Sequence, residues 1–382
     1  MRVCLLSKMF PPGVGGSELY AYELANALSR LGHDVDVYTQ QRPGPGDAFT
    51  LEENVSVETV SKPRKQLVTF ETLYYSLRAR RAVDFENYDV VHGTLMPAST
   101  IAIAPRFDHD VPIVVTSHSF APMEVRAHSP EAPADVLLKF FFHPMNAVMD
   151  AVTARSVDHV IAISSEMKRQ IAKAYRVDPE RISVISHGVD TERFRPRDRP
   201  HEAVDPEAFT VLFVGRLISR KGADLAIRAL AATDDESIEL LVAGTGRQRP
   251  KLESMVHELG VSDRVRFLGY VEESELPRLY SSADVTLFLS NYEGFGLVFM
   301  ESMASGTPIV GTPVGGIPDI VKDGETGYIE SGDPDRIAAR LRHLKDDPEE
   351  HDRISDAAYE TATRMDWRCV GREVQSLYER VI

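Results

Sequence analysis

Val3-Cys4-Leu5-Leu6, a short apolar run, is followed by a helical pattern from Glu18 to Leu31 and then by a second β-branched run, Val35-Asp36-Val37-Tyr38. Strand, crossover helix and strand in this order make the unit of a parallel sheet, because parallel neighbours need a long connection back to the same edge. Further strand-like runs stand at Asp89 to His92, Ile113 to Thr116, His159 to Ile163 and Ile182 to Ile185. The pattern breaks after Asp190, where Arg193-Phe194-Arg195-Pro196-Arg197-Asp198-Arg199-Pro200 mixes proline with charge and reads as a linker. It restarts with strands at Thr210 to Val214, Ile238 to Val242, Val265 to Leu268, Val285 to Leu289 and Pro308 to Gly311, and helices at Ala223 to Ala231, Lys251 to Leu259 and Leu297 to Ala304. The expectation is an α/β protein of two doubly wound, Rossmann-like domains, 1–190 and 209–365, joined by a linker at 191–208. Two such domains would face each other across a central cleft, with ligands outside the carboxyl ends of the strands.

Composition agrees. The 382 residues, 43% hydrophobic and 26% charged, exceed the usual size of one core. A net charge of -15 argues against a nucleic-acid partner, which calls for a basic face. The two cysteines, Cys4 and Cys369, offer no disulfide framework and point to a reducing compartment. Val3 to Leu6 soon meets Ser7, Lys8 and Pro11-Pro12, which is not a signal-peptide core, and no run reaches the roughly 18 apolar residues of a membrane span. The expected location is the cytoplasm.

Two stretches carry chemistry. Arg216 follows the strand Thr210 to Val214 and Lys221-Gly222 opens the next helix, which puts both cations at the carboxyl edge of the second sheet. Arg grips phosphate oxygens in a fork and Lys serves as a mobile point charge; the bland alternative is a pair of surface cations. Ser290-Asn291-Tyr292-Glu293-Gly294-Phe295-Gly296-Leu297 joins a strand to a helix. Its glycines let backbone N–H groups approach a ligand, and the helix start adds unpaired donors. Glu301 stands eight positions beyond Glu293, a little over two helical turns, so both carboxylates are expected on one cleft. A carboxylate accepts two hydroxyl hydrogen bonds at once, which suits a vicinal diol. The alternative is a loop acid plus a solvated helix acid.

Together with Pro11-Pro12, Gly15-Gly16 and Glu18, Phe213 to Leu217 with Arg220-Lys221-Gly222, and Val242-Ala243-Gly244-Thr245-Gly246, these residues resemble the retaining GT4-type glycosyltransferases of GT-B fold. The resemblance covers nearly the whole chain in order. It implies that Arg216 and Lys221 hold a donor diphosphate, Glu301 the nucleotide ribose and Glu293 the donor sugar. Gly294, Phe295, Gly296 and Leu297 would position sugar and phosphate through their amides, Val271 would lie against the base, and Gly15-Gly16 would close on the phosphates. His118, in Thr116-Ser117-His118-Ser119, matches the family's active-site histidine, and the segment 366–382 would cross back to the first domain. Ser186-His187-Gly188-Val189-Asp190 departs from the family's usual Asn-Gly-Val-Asp, a change read as bearing on a hinge detail. The implied reaction moves a hexose-type sugar from a nucleotide-diphosphate donor to a sugar or lipid-linked acceptor, without a cofactor.

No metal site is expected. Asp34-Val35-Asp36 lies in a strand, Asp108-His109-Asp110 precedes Val111-Pro112, and Asp333-Pro334-Asp335 reads as a helix N-cap. Positive charge for the leaving diphosphate comes from Arg216, Lys221 and helix N-termini. On the acceptor side, Arg64-Lys65, Phe70, Leu73, Tyr74-Tyr75, Leu77, Arg78, Arg80 and Arg81, and the run from Leu137 to Val152, combine aromatics, cations and apolar residues. Such faces can rest on the cytoplasmic face of an anionic bilayer, or simply pack as helices on the sheet. A phosphorylase or epimerase of the same architecture, or a non-catalytic sugar-nucleotide-binding subunit, are the rival functions.

Overall fold

The computed structural model describes residues 1–11, 15–40, 49–62, 68–94, 110–123, 140, 143–197 and 200–382. Asp108-His109, Arg64-Lys65 and most of the run 137–142 lie outside the described residues. Met1–Gly188 with Trp367–Ile382 form one compact unit and Val189–Asp366 a second.

In the first unit, strands β1 (Arg2–Leu6), β2 (Asp34–Thr39), β3 (Val55–Thr59), β4 (Val90–Gly93), β5 (Ile113–Ser117), β6 (His159–Ala162) and β7 (Ile182–Val184) form one sheet. Their order is β3-β2-β1-β4-β5-β6-β7, and every pair is parallel. The order reverses between β1 and β4, the switch point where a crevice opens at the carboxyl ends. β4 and β5 are buried along their whole length, which is why they read as continuous apolar runs: helices cover both faces. One cover is the helix Gly16–Arg30, whose Tyr20, Leu24 and Leu28 share a core with Trp367, Val370, Val374, Leu377 and Tyr378 of the helix Trp367–Val381. The 3-4-3-1 spacing of those five residues makes one apolar stripe. Each fully buried side chain of this size contributes about 1.5–3 kcal/mol over exposure, so the last helix is an integral wall of the first unit.

The second unit repeats the plan with β8 (Phe209–Val214), β9 (Ile238–Ala243), β10 (Val265–Gly269), β11 (Val285–Phe288), β12 (Ile309–Gly311) and β13 (Tyr328–Ile329). All are parallel, in the order β10-β9-β8-β11-β12-β13. The switch point falls between β8 and β11. Its core runs from Val211, Phe213, Leu240 and Val242 to Leu287, Val310, Ile337 and Leu341.

Two features differ from the sequence reading. β3 and β13, an edge strand of each sheet, were not anticipated. The stretch read as a linker is packed along the second unit: Phe194 is buried with its ring 6.0 Å from that of Tyr280, Thr191 Oγ1 donates to Asp366 at 2.6 Å, and the His201 amide donates to Ser282 at 2.8 Å. Proline and charge mark irregular backbone there, not separation.

Candidate functional site

At the switch point of the second unit the β8 and β11 loops meet. Beyond β8 the backbone makes a short 3-10 turn, Ser219–Lys221, closed by Gly222 at φ +77°. A Cβ on Gly222 would lie 2.1 Å from the Leu289 carbonyl oxygen, so only glycine lets this turn press against the end of β11. The Asn291 amide donates to the Arg220 carbonyl at 2.8 Å, which stitches the two loops together. Lys221 Nζ then sits 2.5 Å from Glu293 Oε1, and Arg220 Nη1 3.2 Å from the same oxygen. Ser290 Oγ donates to it at 2.9 Å, and Arg220 also donates to the Tyr292 carbonyl at 2.9 Å.

The electrostatics follow from burial and pairing together. Burial pushes the Glu293 carboxyl up, but Lys221, Arg220 and Ser290 outweigh it and hold it below the usual carboxylate range. Burial pulls Lys221 down, Glu293 offsets part of that, and Arg220 and Arg216 add to the pull. Arg216 itself is exposed; its carbonyl accepts from the Ile218 amide at 2.8 Å, but its guanidinium makes no hydrogen bond or ion pair among the described residues. It is a cation without a counter-ion, on the same loop as Lys221.

The loop carrying Glu293 is braced from below. Gly316 donates its N–H to the Phe295 carbonyl at 2.8 Å, and Thr312 Oγ1 donates to the Ser290 carbonyl at 2.6 Å. Gly315 has φ +63°, and a Cβ there would come within 2.3 Å of the Phe295 oxygen. Phe295 is buried and packs on Phe299 at 5.4 Å, so its side chain anchors the loop. The N–H groups of Gly294 and Gly296 have no acceptor among the described residues, and Leu297 opens the helix Leu297–Ala304.

That helix start corrects one expectation. Residues 293–296 are loop, so the eight-residue spacing to Glu301 does not span two helical turns. Glu301 accepts from the Tyr280 hydroxyl at 2.9 Å, and its carboxylate makes no ion pair with Lys221 or Arg220, which both pair with Glu293. Burial raises its pKa, the Tyr280 hydrogen bond and Arg193 offset part of that, and Glu273 adds to it. Arg193 in turn donates to the Glu273 carbonyl at 2.6 Å, in the segment after β10 that also holds the partly buried Val271.

In the first unit, His118 follows β5 and His187 follows β7. Their rings are joined, His118 Nδ1 to His187 Nε2, at 3.1 Å. His187 therefore sits beside the candidate histidine, and its departure from the family pattern bears on the site, not on a hinge alone. Tyr20 lies edge-on to His118 at 4.6 Å and against His187 at 5.1 Å. Its hydroxyl shares Thr116 Oγ1 (3.0 Å) with His92 Nε2 (2.7 Å), and His92 Nδ1 reaches the Tyr378 hydroxyl at 2.6 Å. Burial lowers His118, with His187 and His92 adding to it, and burial alone takes His92 and His187 to about 3. All three imidazoles are neutral. Gly15 and Gly16 head the helix carrying Tyr20, and the Glu18 carboxylate already fills the space beside Gly15, 2.2 Å from where a Cβ would stand.

Asp36 and Asp333, from the two Asp-x-Asp strings that lie within the described residues, are engaged in local structure. Asp36 binds Arg2 at 3.0 Å, the Tyr88 hydroxyl at 2.9 Å, and Ser56, in the first half of its strand. Asp333 caps the helix Pro334–Asp346 by accepting from Asp335 N at 3.0 Å. Among the residues without an assigned role in the sequence reading, Arg220, Ser290, Tyr280, Gly315 and Gly316 shape the site. The Gly315-Gly316 pair just past a strand is a signal of the same kind as Gly294 and Gly296.

A model of glycosyl transferases group 1 matches residues 194–361, and one of glycosyltransferase family 4 matches residues 14–193. The D-inositol 3-phosphate glycosyltransferase of Thermomonospora curvata is 33% identical, over 94% of this chain and 90% of its own length. That of Corynebacterium glutamicum is 30% identical, over 100% and 97%. Sucrose-phosphate synthase from Thermosynechococcus elongatus shares the fold with a TM-score of 0.82 at 22% identity, over 99% of this chain and 98% of that one. Anabaena HepE in complex with UDP and glucose does so at 0.75 and 20%, over all of both chains. With both sheets doubly wound and both family models matched in order, the chain belongs to the GT4 family of glycosyltransferases, of GT-B fold.

Proposed function

We propose that the enzyme transfers a hexose-type sugar, with retention, from a nucleotide-diphosphate donor held by the second unit. The observation that carries this reading is the Lys221–Glu293–Arg220 cluster with the unpaired Arg216 beside it. A bound diphosphate would recruit Arg216 and draw Lys221 toward itself, and so release Glu293 toward the donor sugar hydroxyls. The free N–H groups of Gly294 and Gly296 and the helix start at Leu297 are suited to the same anion. Glu301 would accept from the ribose hydroxyls in place of the Tyr280 hydroxyl, Val271 would flank the base, and Gly15-Gly16 would approach the phosphates.

Retention needs either a carboxylate nucleophile or attack from the face the phosphate leaves. Glu293 keeps Arg220 and Ser290 as partners when Lys221 turns to the diphosphate, and a carboxylate so held is a weakened nucleophile, which favours the same-face route. There the bond from the sugar carbon to the β-phosphate oxygen breaks, the acceptor oxygen bonds that carbon, and the acceptor proton passes to the departing phosphate. Lys221, Arg216 and backbone amides would stabilise the charge that develops. His118 would bond a substrate hydroxyl. The chain's own cations supply the positive charge, and no metal or other cofactor is required.

The relatives are named for D-inositol 3-phosphate, so a phosphorylated polyol is the first acceptor to test. A lipid-linked acceptor at a membrane face is a second reading, favoured by Phe140, Val148 and Val152, which are 70%, 65% and 45% exposed on and just before the helix His143–Ser156. The test is a panel of nucleotide-diphosphate sugars scored for diphosphate release, with each acceptor class and with or without EDTA. Release with a hexose donor, unchanged by EDTA, is expected. Release abolished by EDTA would overturn the metal-free reading, and no release from folded protein would overturn the donor assignment.

A further inference from the structure

Arg193 and Phe194 join the two walls of the subsite proposed for the donor nucleoside. Asp190 holds them in place: its Oδ1 accepts from the Glu192 and Arg193 amides at 3.0 Å, and its carbonyl accepts from the Phe194 amide at 2.8 Å. This is the side-chain closure that Asp favours at a turn. On one side, Arg193 Nη2 donates to the Glu273 carbonyl at 2.6 Å and reaches Glu273 Oε2 at 3.4 Å, in the loop that carries Val271. On the other, Arg193 Cζ lies 5.0 Å from the centre of the Phe194 ring, Phe194 packs on Tyr280 at 6.0 Å, and Tyr280 donates to Glu301.

The same guanidinium acts on Glu301 through charge. Burial drives a carboxylate toward its neutral form; at Glu301 the Tyr280 hydrogen bond and then Arg193 oppose that rise, while Glu273 adds to it. Arg193 also offsets part of the rise at the Tyr280 hydroxyl. The other elements packed closely on the helix of Glu301 are neutral there: β11 and β12 carry no ionisable side chain, and the helix Pro348–Thr363 buries Ile354, Ala358 and Ala362. Ionisation matters because two ribose hydroxyls need two acceptor oxygens, and a protonated carboxyl turns one of its oxygens into a donor. We propose that Arg193 is the positioning residue for the nucleoside end of the donor: it ties the Val271 loop to the Tyr280–Glu301 pair and supplies the positive charge beside which Glu301 accepts both ribose hydroxyls. This rests on the reading of Glu301 and Val271 given above. The effect of Arg193 is confined to the nucleoside, which sets it apart from Arg216 and Lys221 at the diphosphate.

The test uses full-length protein labelled with ¹³C at the glutamate carboxyls, with Glu301 assigned by its loss in Glu301→Gln. The pH at which Glu301 titrates should rise in Arg193→Ala, fall in Glu273→Gln, which keeps the backbone carbonyl, and stay near the parent in Arg193→Lys. A loss of packing alone would not move Glu301 in opposite directions. In parallel, calorimetry at neutral pH with the tightest binder among UDP, GDP and ADP should show affinity about tenfold weaker in Arg193→Ala, the weight of one hydrogen bond, with inorganic pyrophosphate within about twofold of the parent. An unmoved titration in Arg193→Ala would overturn the role of its charge, and equal weakening of both ligands would overturn the assignment to the nucleoside. If no nucleotide bound the parent, the donor reading would fall and the ligand half of the proposal with it, while the titration would still decide whether Arg193 governs Glu301.

Discussion

The switch points of the two units occupy the same place in the same topology and carry opposite chemistry. In Val189–Asp366 the strand ends present Lys221, Arg220 and Glu293 in contact and Arg216 unpaired. In the other unit Tyr20, Thr116 and three neutral imidazoles form one network of hydrogen bonds and edge-on ring contacts. On the proposed reading, one unit exchanges ionic partners and the other orients uncharged groups. A sugar donor has both kinds of surface, a diphosphate and a set of hydroxyls. The comparison can therefore be broken by showing that charge matters equally to both units, or to neither.

The largest expected effect belongs to Lys221→Ala. It leaves Glu293 mostly buried with Arg220 and Ser290, so unfolding in urea should show a loss of about 2–3 kcal/mol, less than for a fully isolated buried charge. Nucleoside-diphosphate affinity should fall as well. Arg216→Ala is the contrast, because Arg216 is exposed and unpaired. Stability should stay within about 0.5 kcal/mol of the parent, while nucleoside-diphosphate binding, read by calorimetry, weakens by about 1.5–3 kcal/mol. Equal losses of stability in both variants would erase the distinction between a structural and a ligand-directed cation.

The first unit predicts a different response, to acid. His92 and His187 hold folded pKa values of about 3 against an ordinary 6.5, so the unfolded chain binds more protons between those limits. Stability from these imidazoles is fully present above about 6.5 and is lost as pH falls toward 3, by about 1.4 kcal/mol per pH unit for each proton taken up. His92→Gln, which keeps a hydrogen-bonding side chain but does not titrate there, should flatten the slope of the urea midpoint between pH 6 and 4 by about one proton's worth. An unchanged slope would mean that His92 titrates normally in the folded protein.

Most of this arrangement was legible in the chain, and the exceptions share a cause. Buried central strands such as Val3 to Leu6 and Thr210 to Val214 announce themselves as apolar runs because both faces are covered. β3 has Ser56, Glu58 and Thr59 among its five residues, and β13 is two residues long, so these two edge strands lack that signal, whereas the edge strands β7 and β10 keep it. Gly222 and Gly296 stand out in the sequence beside charged residues at strand ends, and both have φ above zero, a conformation that favours glycine. The partnerships were not legible. Lys221 and Glu293 lie in separate loops and touch only because Gly222 lets them. His118 and His187 are brought together by β5 and β7, strands separated in the sheet by β6, a relation that sequence spacing does not encode.

The smallest effect concerns Glu301, which belongs by sequence to the ionic site and by environment to neither. Its raised pKa means that the folded state holds the proton more tightly, so its contribution is fullest below about 4.5 and is lost as pH rises through the folded value. In Glu301→Gln the amide oxygen can still accept from Tyr280, and there is no buried charge to form. The variant should therefore gain on the parent in urea as pH rises from 4.5 toward 7, by about 1 kcal/mol. A carboxylate accepts both hydroxyls of a diol and a carboxamide only one at its oxygen, so nucleoside-diphosphate binding should weaken by about 1 kcal/mol. Inorganic pyrophosphate, which has no ribose, should bind unchanged. Were both ligands weakened alike, Glu301 would act on the phosphate end, and the contrast between a charged grip and a hydroxyl grip would run through the second unit as well as between the two.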